Sequence, residues 1–178
     1  MQQPAPPHPT TYSEALADTV WQQRCALLYQ AWVQLRYHRK RQRFFDLTDK
    51  GTKTVTLVLG ASLFGEHVAS LKWVATGISA LGLMALVFGY DERKQAHKEL
   101  ADQAAALAAA IEAMPVRDVS VEATAEWAAQ YARLCANAPP QLKTLTLLCE
   151  REQSAVDGHP NHIPLPPWWR RWTAQIKA

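Results

Sequence analysis

Hydrophobic positions along this chain follow three rhythms in turn. From Thr11 to Lys50 there is no Pro or Gly, and Leu16, Val20, Leu27, Ala31 and Leu35 recur at helical spacing, with Trp21, Leu28 and Trp32 widening the stripe. Thr11 or Ser13 can cap such a helix, and Glu14 sits in its first turn, where negative charge is favoured. The pattern predicts a rod of roughly 50 Å, longer than globular helices usually are, and therefore a stalk or bundle helix. The second rhythm is an apolar run, TVTLVLGASLFGEHVASLKWVATGISALGLMALVFGY, from Thr54 to Tyr90, with Glu66, His67 and Lys72 as its charged or titratable residues. It divides into two arms, Thr54–Leu71 and Trp73–Tyr90, each about 27 Å long as a helix and close to the roughly 30 Å of a bilayer core. The expectation is a two-helix transmembrane hairpin with its polar turn in water. The second arm is the better span: it carries no charge and has Trp73 and Tyr90 at its ends, where interfacial anchors sit. Ala61/Gly65 and Ala75/Ser79 have the small-xxx-small spacing that lets helices approach closely in lipid. The competing reading is a soluble hairpin buried in a protein core.

After Tyr90 the helical period returns. DERKQAHKELADQAAALAAAIEAM is rich in alanine, with Leu100, Ala104, Leu107 and Ile111 on one face, and Pro115 ends it. Because Tyr90–Asp91–Glu92 contains no Gly or Pro, the helix is expected to run on from the second arm without a break. Asp118 or Ser120 can cap a further helix over about Val121–Asn137, with Trp127, Tyr131 and Leu134 inward. Ala138-Pro139-Pro140 closes it, and a last helix over about Gln141–Gln153 follows. The predicted fold is all-α, with a tail over 1–12, long helices and the hairpin over 13–114, a helical part over 115–156 and a Pro/Trp-rich tail over 157–178. The N-terminal and post-hairpin helices are expected to pack antiparallel in a cytoplasmic bundle.

Charge sharpens this picture. Arg36, Arg39, Lys40, Arg41 and Arg43 crowd the end of the first rod, and Arg93, Lys94 and Lys98 follow the second arm. Both outer flanks of the hairpin are basic, so the positive-inside rule puts both termini in the cytoplasm. Arg36, Arg39, Lys40, Arg41, Arg43, Arg93 and Lys94 are then candidates for contact with anionic lipid head groups. Glu66, His67 and Lys72 are candidates for a pore or a solvated turn. The net charge is +3 over 178 residues, too mild to point to nucleic acid. Three widely spaced cysteines, Cys25, Cys135 and Cys149, give no disulfide framework, and Cys135 and Cys149 are expected as inert core thiols. Residues 1–10, MQQPAPPHPT, lack the charged and apolar regions of a signal peptide.

Sequence motifs for catalysis are missing: there is no phosphate loop, dinucleotide fingerprint, GxSxG or HExxH, and Cys149, His159 and His162 fit no common zinc spacing. The expectation is a non-enzymatic protein without cofactor or metal. Trp168, Trp169 and Trp172, around Arg170 and Arg171, form a candidate anchor for a partner or a membrane interface, or else cover the bundle's apolar face.

The lead-in YHRKRQRFFDLTDKGTKTV, the Gly-rich second arm and the exit GYDERKQAHKELADQ resemble the SLATT family of bacterial two-transmembrane proteins, over roughly Trp21 to Glu150. The resemblance implies a homo-oligomeric effector of the bacterial inner membrane, one that perforates the cell's own membrane when a partner sensor signals infection. The Trp-rich tail is no part of that family's core and points to a specialised branch, of prophage or mobile-element type. Two rivals are a membrane-anchored scaffold or regulator of phage origin, and a soluble all-helical interaction protein.

Overall fold

The structure, a computed structural model, describes residues 12–62, 76–80, 82–83 and 89–175. It is all-helical, with no strand among the described residues. Helix α1 spans Tyr12–Ser62, α2 Tyr90–Ala113, α3 Val121–Asn137, α4 Lys143–Val156 and α5 Trp168–Thr173, with a 3-10 turn at Val116–Asp118 between α2 and α3.

The spine is α1. Its 51 residues make a rod of about 76 Å that runs past Lys50 without a break. The fold pairs it antiparallel with α2: Arg24 reaches Ile111, Leu35 packs with Leu100, Ala101 and Ala104, His38 meets His97, and Lys53 faces Asp91. Alanines make this seam close. Ala31, Ala101, Ala104 and Ala108 are all buried, small side chains that leave room for the helices to approach. Towards the N-terminal end, Leu27 and Ala31 pack with Leu107, Ala108, Ile111 and Trp127 of α3. On another face of α1, Val33 and Tyr37 hold Leu145 and Cys149 of α4.

The ends of the elements have local causes. Arg24 donates from Nη2 to the Ile111 carbonyl (3.0 Å) and covers the last turn of α2, whose carbonyls have no partner within the helix. Ser120 Oγ accepts from the Ala123 amide at 3.2 Å and caps α3. The Tyr37 hydroxyl accepts from the Leu142 amide at 3.0 Å, just ahead of α4. One expectation is corrected here. Helix α2 does not continue unbroken from the second arm, because Gly89 takes a left-handed conformation (φ 53°) and α2 starts afresh at Tyr90. Glycine alone adopts that φ without penalty.

Candidate functional site

The neck of the molecule is the stretch where α1 and α2 last touch before residues 54–89. It holds three arrangements, one above the other.

The first is a buried pair of imidazoles. His38 and His97 meet Nδ1 to Nδ1 at 2.9 Å. Phe45 stacks on His97 (ring centroids 5.6 Å apart, 13° between planes), and Tyr37 meets His38 edge-on. Only one proton can lie between the two Nδ1 atoms, so the rings are opposite tautomers. His38 Nε2 is buried without a partner. An orphaned acceptor there is less costly than an orphaned N–H, which assigns the shared proton to His38 Nδ1 and makes His97 Nδ1 the acceptor. Burial, then the opposite ring, pushes His38 down to about 4. Burial, then the Arg41 and Arg93 guanidinium charges, takes His97 down to about 4 as well. The register of both residues was a signal for them: His38 continues the row Ala31, Leu35, and His97 opens the row Leu100, Ala101, Ala104, so each is a seam position filled by a polar ring.

Next comes a collar of ion pairs. Lys50 binds Asp46 (2.7 Å) and Lys53 binds Asp49 (2.6 Å) within α1; Lys94 binds Asp91 (2.9 Å) within α2. Lys94–Asp46 (3.6 Å) and Lys53–Asp91 (3.8 Å) cross between the helices. The lysine partners hold the Asp46 and Asp91 carboxyls below their ordinary range, while Asp49 raises Lys53 and Asp91 raises Lys94. The collar brings the two ends of the segment 54–89 side by side.

Beyond the collar, α1 goes on bare. Leu57 is 73% exposed and Val58 62%, with Val55 also exposed. These positions lie about 200° and 300° around the helix from Val55 and span an arc of about 160°, while Thr52 and Thr56 on the opposite side are half-buried. Its hydroxyls are satisfied internally: Thr48, Thr52, Thr54 and Thr56 each donate to the carbonyl four residues back, at 2.8–2.9 Å. Glu66, His67 and Lys72 lie outside the described residues, as do Gly65 and Ala75. No helix among the described residues is long and apolar enough to cross a membrane.

The basic residues separate into two groups. Arg36 donates to Gln153 Oε1 at 2.9 Å, Lys40 pairs with Glu152, and Arg41 donates to the Gln175 carbonyl at 2.7 Å while lying over Phe45. These three bind the bundle together. Arg39, Arg43 and Arg93 are exposed, and Arg39 and Arg43 line one shallow cleft with Lys94 and Lys98. Lys94, placed by sequence among the head-group contacts, belongs to the collar. Among the cysteines, Cys149 is a core thiol, pushed up to about 11 by burial, whereas Cys135 and Cys25 are exposed. Cys135 sits one position past Leu134, on the turn of α3 facing away from the seam, which corrects its assignment to the core. Trp168, Trp169 and Trp172 face solvent and do not cover the bundle.

Comparisons with protein-family models, with curated proteins and with solved structures find no match to this chain.

Proposed function

We propose that the chain is a non-enzymatic, oligomeric membrane effector of bacterial type, in which the segment 54–90 enters the inner membrane as a hairpin and the helical bundle stays on the cytoplasmic side. The observation that carries this is the bare end of α1. Val55, Leu57 and Val58 leave the collar exposed over a broad arc of one helix, and nothing from the bundle covers them. A broad exposed aliphatic arc on one side of the rod, with the opposite side half-buried at Thr52 and Thr56, suits the lipid-facing side of a hairpin arm. Back-bonded threonines remove the cost of taking hydroxyls into hydrocarbon. The collar supports the same reading: Lys53 and Asp91 meet at its rim, so the chain leaves and returns at one place. Activity consists of leakage through assembled hairpins, in keeping with the resemblance to SLATT proteins, with a trigger supplied by a partner.

Expression in bacteria, with an alkaline wash of the membranes and a potential-sensitive dye, tests this. The expected outcome is protein retained in washed membranes and collapse of the potential. Retained protein with an intact potential would rule out the pore and leave an anchor. Release by the wash would remove the membrane hairpin altogether.

A further inference from the structure

After Asp157 the chain has no acidic residue, and it carries Arg170, Arg171 and Lys177. Within this stretch α5 presents Trp168, Trp169 and Trp172 at 71%, 51% and 82% exposure. At about 100° per residue the three indoles fall within one arc of roughly 100°, with Arg171 flanking it on one side and Arg170 on the other. Arg170 also lies over the Trp169 ring at 5.0 Å. The segment is held at both ends. Ser154 Oγ donates to the His159 carbonyl at 2.8 Å and Arg151 donates to the Ile163 carbonyl; beyond α5, Ala174 is buried and Arg41 holds Gln175. The indoles are therefore displayed from a fixed mount. The mount also has a direction: Asp157 lies beside Tyr29 and Trp32, while Gln175 lies at Arg41, so the tail climbs α1 towards the collar.

We propose that α5 is a second, interfacial membrane contact, with Trp168, Trp169 and Trp172 seated at the head-group boundary of an anionic leaflet and Arg170 and Arg171 on its phosphates. A stripe of indoles flanked on both sides by arginine is the build of a helix that lies in the plane of an interface, rings down and guanidinium groups snorkelling outward. Tryptophan prefers that depth. The lack of any acidic residue from 158 to 178 favours lipid phosphate over a protein surface, whose rim would carry both signs. Arg41 is about 20 Å short of Thr54 along α1, so seating α5 at the head groups needs a lean well beyond the roughly 20° usual for spanning helices. The inference rests on the hairpin reading only for which end of the bundle meets lipid.

The test uses the full chain in vesicles of phosphatidylcholine with or without phosphatidylglycerol. Exposed Cys25 and Cys135 are replaced by serine, and an environment-sensitive fluorophore is placed on Thr173→Cys in one protein and Leu57→Cys in another. The expected result is a blue-shifted probe at 173, quenched by shallow spin-labelled lipid, more strongly with phosphatidylglycerol. The combined change Trp168→Ala, Trp169→Ala and Trp172→Ala should reduce that quenching several-fold with helical circular dichroism unchanged. A probe at 173 that stays in water while that at 57 reports lipid overturns the proposal, leaves the hairpin standing and assigns the indoles to a protein. Equal blue shifts at 173 with and without lipid also overturn it, since the contact is then between chains. A lipid signal at 173 with water at 57 supports the tail and removes the hairpin.

Discussion

The His38–His97 pair places a titratable device in the middle of the α1–α2 seam, with Tyr37, Arg41, Phe45 and Arg93 as the neighbours that set its chemistry. Both rings titrate near 4 in the fold, against 6.5 for an unperturbed histidine. Well above pH 6.5 folded and unfolded chains are both neutral there, and titration of the pair costs nothing. As pH falls from 6.5 to about 4 the unfolded chain takes up protons that the folded one refuses, and stability declines throughout that window. The loss is about 3 kcal/mol for one ring taken alone, and less than twice that for the pair, since a single added proton can still be shared across the Nδ1–Nδ1 contact. Chemical denaturation followed between pH 4 and 7 should show this decline, and the double variant His38→Leu, His97→Leu should flatten it. A wild-type profile level from pH 7 to 4 would show that the rings are not buried as a neutral pair. The residues themselves sat in plain view, inside both segments that carry the family resemblance. What periodicity could not convey is that two seam positions 59 residues apart face one another.

At the scale of elements, the seam is governed by small side chains. Ile111 is fully buried against Leu27, Ala31 and Trp127, so Ile111→Ala should cost about 2–5 kcal/mol in bundle stability. Ala104, equally buried, has no room for growth, and Ala104→Leu should cost about 1–3 kcal/mol by forcing the helices apart. Both are read from thermal or denaturant unfolding. These elements are largely legible in the sequence. The bounds of α3 agree with the expected 121–137, α2 ends two residues before Pro115, and Leu100, Ala104, Leu107 and Ile111 are the buried face, as their spacing implied. The errors came where local rules compete. Gly89 just ahead of Tyr90 broke a helix that composition alone would carry through. Leu16 and Trp21 share the stripe of α1 yet are exposed, because α2 ends near Arg24 and leaves only the turn after it alongside them. The six-residue α5 is too short for any period to announce it.

For the whole molecule, the proposed separation between bundle and hairpin yields a direct experiment. All the packing described lies outside 54–89, and the collar already holds α1 and α2 together there. Replacing residues 57–87 with a short Gly/Ser link should leave a cooperatively unfolding helical protein with the unfolding midpoint little changed, and should abolish dye-reported depolarisation. A molten product would mean that the apolar arms are part of the folded core. The change of rhythm at Thr54 is what suggests this division in the sequence, although α1 itself runs through it to Ser62. It could not convey which cations would remain at the surface: Arg36, Lys40 and Arg41 look like their neighbours Arg39 and Arg43, and only the placement of α4 and of Gln175 distinguishes them.

The unbroken run of α1 from bundle to bare end makes it a lever. Ser62 lies 24 residues beyond His38, or about 36 Å along a stiff rod, so a pivot of roughly 5° at the imidazoles swings the far tip by about 3 Å. On the proposed reading, a partner that gripped the bundle would need only a slight twist of this handle to part adjacent spans.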